Sequence, residues 1–174
     1  MSDTLITVVA ILLAAILMFI FPLLSVSERS DDISQLSVQA ATTEFVDNSR
    51  AIGKITMNNY TKLITTIAAT GNAYDVEMEV QVLDENIGKK TAWTQGTVIG
   101  ENVSYSVYTS QIVEVLENEG TYVMKEGDVF SVSVKNTNKT LSQTIRGVFY
   151  SVSGNDVYSI VAQHAGTVTA NGSY

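Results

Sequence analysis

The sequence contains no cysteine, one histidine (His164), one tryptophan (Trp93) and one proline (Pro22). Without cysteine there is no disulfide framework, no thiolate metal site and no cysteine nucleophile. A lone histidine is too few for a zinc site, and no serine or carboxylate motif links His164 to a nucleophile. Nucleophile-elbow, P-loop and dinucleotide-binding fingerprints do not occur. The chain therefore reads as a non-enzyme with no cofactor and no metal. Basic residues are scarce as well: ten Lys and Arg against eighteen Asp and Glu leave a net charge of -8, and the pI is near 4.5. Such a chain repels phosphate backbones, which excludes nucleic acid as a partner.

Charge of either sign is sparse. Only 16% of residues are charged, against roughly 25% in an average soluble domain. With 45% hydrophobic residues and a mean hydropathy of +0.17, the 174 residues suit one domain plus an apolar appendage. The appendage is the uncharged run from Leu5 to Leu24, LITVVAILLAAILMFIFPLL. Its length matches a bilayer core of roughly 30 Å at 1.5 Å per helical residue. The run therefore reads as a transmembrane helix, in which Leu5, Val9, Leu12, Ile16, Phe19 and Pro22 are the positions expected to meet lipid or a packing partner. A cleaved signal peptide is the rival reading, since Ser25 and Ser27 form a small-x-small pattern. Against it stand an n-region with Asp3 and no basic residue, and an apolar run longer than an h-region. The flank beyond the run (Glu28, Arg29, Asp31, Asp32) is net acidic and the rest is rich in Ser, Thr, Asn and Gly. Those features place the C-terminal part outside the cytoplasm, on a single-pass anchor in the cell membrane.

Three regions follow: a transmembrane helix over 1–24, a helical stem over 25–72 and an extracytoplasmic α+β head over 73–174. In the stem, Ile33, Leu36, Ala40, Phe45, Val46 and Ile52 recur every three to four residues and predict one buried stripe. A second helix is predicted with Thr56 as cap, Tyr60, Leu63, Ile64 and Ile67 on one face, and Gly71 past its end. The period then changes to two, as Tyr74, Val76, Met78, Val80 and Val82 alternate with Asp75, Glu77, Glu79 and Gln81 in a half-buried strand. Residues 84–102 read as a long loop or irregular hairpin around Trp93. Ser110 to Asn118 is expected to be a short helix, although Ile112 and Val115 also permit a strand. The turn signal Lys125-Glu126-Gly127-Asp128 predicts a hairpin between Tyr122–Met124 and Val129–Val134. Thr140 and Gln143 form a capping box before a helix carrying Leu141, Ile145, Val148, Phe149 and Val152, closed by Gly154. Strands over 157–162 and 167–170 complete the head, with His164 in the turn between them. The order strand, helix, strand, strand, helix, strand resembles a split βαβ arrangement, with two helices over one face of an antiparallel sheet.

Little in this head suggests chemistry. Asp75, Glu77 and Glu79 share a strand face that could gather a cation, but alternation with apolar residues already calls for polar partners there. Asp84-Glu85-Asn86-Ile87-Gly88 departs from a calcium loop, lacking its third acidic position and having Gln95 where a bidentate Glu belongs. Glycosylation patterns begin at Asn59, Asn102, Asn138 and Asn171, and a Ser/Thr/Asn-rich chain produces such matches by chance.

Two segments carry a resemblance: TTEFVDNSRAIGKITMNNYTKLITTIAATGNAYDVEMEV and EGDVFSVSVKNTNKTLSQTIRGVFYSVSGNDVYSIVAQHAGTV, together about half of the chain. The chain resembles pilin-like or pseudopilin-like membrane proteins associated with tight-adherence, type IV-related pilus systems of Gram-positive bacteria. The resemblance implies a structural protein of the bacterial cell surface, acting in pilus assembly by helix packing and head contacts. Its implied partners are the lipid bilayer and other pilin-like or pilus-assembly membrane proteins, in homo- or hetero-oligomers. Ordinary type IV pilins have a basic leader ending in Gly and a Glu five residues into the apolar run, and this sequence shows neither. The expectation is a pilin-like structural subunit or assembly component; leader processing and entry into a filament do not follow from these residues, and a static assembly or anchoring component fits them. The alternative is a membrane-tethered adhesion module whose head binds an extracellular ligand through Tyr74, Trp93, Tyr105 or Tyr108.

Overall fold

The computed structural model describes residues 2–83, 104–150 and 160–173. It is an α+β protein in which a long N-terminal helix enters a head of antiparallel sheets and helices. Helix α1 runs unbroken over Ser2–Ile52, through Pro22. At 1.5 Å per residue it is about 76 Å long. Its first half is long and apolar enough to cross a membrane, and none of that window is buried by the rest of the chain. Gly53 ends the helix with φ +70, a left-handed conformation that glycine adopts without a Cβ penalty. The chain then forms the short strand β1 (Lys54–Thr56) and helix α2 (Met57–Ala68), whose Asn59 N–H is capped by the Thr56 hydroxyl.

Strand β2 (Tyr74–Leu83) pairs with β3 (Ser104–Tyr108) on one side and with β5 (Val129–Asn136) on the other. Strand β6 (Val161–Thr167) completes the sheet in the order β3-β2-β5-β6, all neighbours antiparallel. Helix α3 (Thr109–Glu119) follows β3 and ends at the left-handed Gly120. Strand β4 (Thr121–Val123) pairs with β1 in a separate two-stranded ladder. Helix α4 (Leu141–Tyr150) lies between β5 and β6 in the chain.

The sheet's inner face carries Val76, Met78 and Val80 from β2, and Phe130, Val132 and Val134 from β5, all buried. They meet Val38, Phe45 and Val46 of α1, Ile55 of β1, Leu63 and Ile67 of α2, and Ile112 and Leu116 of α3 in one core. Phe45 and Phe130 join the layers edge to face, ring centroids 5.8 Å apart. The segment read as a stem thus shares the core of the head, and α1 is its main helical cover.

Three expectations about topology are corrected. The head is not a split βαβ unit, because the central strands β2 and β5 are antiparallel neighbours. β4 and β5 do not form a hairpin. The 125–128 turn does form, with the Asp128 carboxylate accepting from the Lys125 and Leu83 N–H groups. Beyond it the C-terminal segment, not β4, bonds there: Gly127 N–H donates to the Val168 carbonyl and Val168 N–H to that of Asp128. Last, 161–167 is one strand, with His164 in its middle rather than in a turn. The loop expected over 84–102, the end of α4 toward Gly154 and the start of the 157–162 strand lie outside the described residues.

Candidate functional site

The contacts of α1 decide which of its surfaces remain free. From Ser27 onward the helix turns Ser27, Ser34, Val38, Thr42, Phe45 and Ser49 into the head. Of the predicted stripe only Phe45 and Val46 are buried, while Ile33, Leu36, Ala40 and Ile52 stay exposed. The reason is close approach. Small hydroxyl side chains let the helix lie against β6, and they satisfy themselves: Ser34 donates to the Ser30 carbonyl at 3.0 Å and Thr42 to that of Val38 at 2.7 Å. Ser49 Oγ, fully buried, has no partner among the described residues.

Strand β6 runs beside α1 in the same direction. Gln35 bonds Val161 at its start, Asp47 meets His164 at its middle, and the Arg50 carbonyl accepts from Thr169 N–H just past its end. Helix α4 runs the opposite way, toward the apolar half of α1. Its capping box is formed: Gln143 Oε1 accepts from Thr140 N–H at 3.0 Å, and Thr140 Oγ1 from Gln143 N–H at 3.3 Å. The Asp31 carboxylate sits at this helix N-terminus, accepting from the hydroxyls of Thr140 at 2.7 Å and of Ser142, where the helix dipole favours negative charge. One turn on, Arg146 Nε donates to Glu28 at 2.9 Å.

The apolar residues of α1 that the head leaves uncovered form two groups. Leu5, Val9, Leu12, Ile16 and Phe19 are all exposed, Phe19 by 77%, and Pro22 is exposed with them. Beyond Leu24, Val26 (68%), Ile33 (60%) and Leu36 (66%) point away from the head. Exposure of this degree on neighbouring large apolar side chains marks a surface that another apolar partner covers.

The outer sheet face is polar. Asp75, Glu77, Glu79, Ser131, Ser133 and Gln163 line an open groove of about 650 Å³ with Tyr108 at its rim. Glu79 accepts from Ser106 Oγ at 2.6 Å, and no group of three or more His, Asp or Glu suited to a metal stands among the described residues. The aromatic residues expected to bind a ligand do not converge. Tyr108 is at this groove, Tyr105 points to the other face of β3, and Tyr74 lies at the far end of β2, its hydroxyl 2.8 Å from that of Thr70. Trp93 is outside the described residues.

His164 projects from β6 to Asp47, Nε2 to Oδ1 3.1 Å, and Asp47 also accepts from Arg50 Nε at 2.9 Å. The His164 hydrogen bond, followed by the Arg50 guanidinium, holds the Asp47 carboxyl below its ordinary range. Through these bonds the cluster ties β6 to α1. Burial pushes the phenols of Tyr60 and Tyr122 up, that of Tyr122 to about 12. Among the glycosylation patterns, Asn138 is committed to Ala73 N–H and Asn72, and Asn171 to Glu126 N–H.

In comparisons with protein-family models, curated proteins and solved structures, nothing matches the chain.

Proposed function

We propose that this protein is a membrane-anchored, extracytoplasmic, pilin-like structural subunit or assembly component of a tight-adherence or type IV-like apparatus. It acts by helix packing and head contacts, without catalysis. The observation that carries the reading is the continuity of α1: one helix supplies both an uncovered apolar segment of membrane-spanning length and the buried face of the head. A helix built into a core at one end and bare at the other couples the head rigidly to whatever surrounds the bare end. In an anchor that is lipid. In a pilus apparatus it is also the apolar helices of neighbouring subunits, packed through small residues such as Ala10, Ala14 and Ala15. Removing Leu5–Leu24 should release the head from the membrane fraction and abolish co-purification with other pilus proteins. Recovery of the intact chain from membranes only as a solitary monomer would contradict the structural role.

The groove on the outer sheet face supports a second reading, a tethered binding module. Its polar lining and rim tyrosine suit a hydrated ligand such as a surface polymer. Tyr108→Ala should then lower capture of that ligand on a glycan and peptide panel without changing the fold; an unaltered binding profile counts against this reading.

A further inference from the structure

The head does not stop where the apolar run of α1 begins. Within Leu5–Leu24, Ile20 and Leu24 are partly covered by the rest of the chain, and every other position is exposed. These two residues recur with Ser27, Glu28 and Asp31 at steps of three and four, which puts all five on one helix face. It is the face that receives α4, through Asp31 to Thr140 and Glu28 to Arg146. Because α4 runs antiparallel to α1, each of its turns stands lower on the anchor. Four residues past Arg146, Tyr150 lies about 6 Å farther along α4, and Leu24 lies about 6 Å from Glu28 along α1. The last turn of α4 is therefore level with the end of the apolar run.

If Leu5–Leu24 spans the bilayer, a premise shared with the proposed function, that level is the boundary between acyl chains and headgroups. The chemistry of α4 suits it. In sequence its last turn is Gly147-Val148-Phe149-Tyr150, uncharged and ending on a tyrosine, a residue type that gathers at this boundary. A Cβ on Gly147 would meet nothing within 4 Å, and Thr144, one turn earlier, is exposed, so this flank of α4 faces away from the protein. Glu28 and Arg146 stand about 6 Å above Leu24, inside a headgroup layer of roughly 5–7 Å. Each is more than a third exposed, and the polar headgroups keep such an ion pair hydrated. A protein partner at this flank would have to displace the lipid that already surrounds the neighbouring turns of α1. We infer that the C-terminal turn of α4 rests in the lipid headgroup layer, a second membrane contact beside α1. With two contacts the head is held against the bilayer at a fixed rotation about α1, and does not stand off on a stem.

The absence of cysteine makes the test direct, because one nitroxide label can be placed at a time. Full-length chains carrying Leu12→Cys, Leu141→Cys, Thr144→Cys or Gly147→Cys are labelled and reconstituted, with no other protein, into vesicles of phosphatidylethanolamine and phosphatidylglycerol. Leu141 and Thr144 are exposed and Gly147 faces open space, so the labels leave the core intact. Gly147 and Leu141 stand about 4 and 14 Å above the end of the apolar run. Power saturation then compares collisions with oxygen, which concentrates among acyl chains, and with a water-soluble nickel chelate. The oxygen-to-nickel ratio should rise severalfold from Leu141 to Gly147, with Thr144 between them. Equal, water-like ratios at the three α4 positions would overturn the contact, as would a gradient seen in native membranes and missing from the vesicles, since a protein would then be the cover. The Leu12 label separates the two readings. If it is shielded from nickel while Gly147 is water-exposed, the α4 contact is refuted and anchoring stands; if Leu12 is itself open to nickel, anchoring fails and the contact with it.

Discussion

The side-chain amide of Gln35 on α1 pairs with the backbone of Val161 as a neighbouring strand would: Nε2 donates to the Val161 carbonyl at 2.7 Å, and Oε1 accepts its N–H at 3.0 Å. Among the described residues β6 is the edge strand of its sheet, and unpaired edge groups invite pairing with other chains. Gln35 blunts that edge at its first residue. Gln35→Ala should lower stability by about 1 kcal/mol, measured by denaturant unfolding of the full chain in detergent, and should speed hydrogen exchange at Val161. Gln35→Glu should cost more at neutral pH, because a carboxylate then faces the Val161 carbonyl. Exchange at Val161 that is unchanged in both variants would show that the edge is held by something else.

Gly53 and Gly71 both have positive φ, +70 and +81, yet they stand in different surroundings. A Cβ at Gly53 would lie 2.2 Å from the Ala170 carbonyl oxygen and 2.5 Å from Gly172 N, whereas nothing lies within 4 Å of one at Gly71. The C-terminal segment crosses the end of α1 there, held by Gly172 N–H to the Met124 carbonyl and Lys54 Nζ to that of Ser173. Gly71→Ala should therefore cost about 1 kcal/mol, the left-handed penalty alone. Gly53→Ala should cost about 3 kcal/mol or more, with the tail displaced. Thermal unfolding of the two variants side by side checks the order, and equal losses would contradict the close crossing.

The two polar ties of α4 to α1 differ in worth. Asp31 accepts from two hydroxyls at the helix N-terminus, with Thr140 and Ser142 both buried. Glu28 and Arg146 are more than a third exposed, so their attraction is screened by water and salt. Asp31→Ala should loosen α4 and cost about 1–3 kcal/mol, visible as faster exchange across 141–147. Glu28→Ala should cost about 0–1 kcal/mol, with the loss fading at high salt. The reverse order would mean that the ion pair, not the cap, fixes α4.

Asp47 links acid stability to the β6 contact. Its folded carboxyl is held below the ordinary value of 3.8 by His164 and Arg50. The stabilisation is therefore fully present above pH 3.8 and is lost as pH falls through the depressed folded value. Asp47→Asn should flatten the stability profile below pH 4. Denaturant midpoints across pH 2–7 for both chains provide the check, and parallel profiles would contradict the assignment.

What the sequence revealed and what it hid have physical causes. The period-two strand β2 was legible because Val76, Met78 and Val80 all turn to one core while Asp75, Glu77 and Gln81 face water. The Thr56 cap and the Thr140–Gln143 capping box were legible because local side-chain bonds depend on spacing alone. The buried face of α1 was not, since close approach to β6 favours Ser and Thr over the larger apolar residues that mark an ordinary core stripe. β6 was obscured in the same way. Gly166 looks like a turn residue, yet a Cβ there would sit 2.8 Å from the Arg50 side chain, so glycine marks close packing within a strand.

The central claim, that α1 anchors the head outside the cell as part of a membrane apparatus, is tested most directly by protease digestion of intact cells expressing the full chain with a C-terminal tag. The account predicts that the chain sediments with membranes and that added protease removes the tagged head while the residues around Leu5–Leu24 stay protected. A tagged head that survives until the cells are permeabilised, or a chain recovered in the soluble fraction, would contradict it.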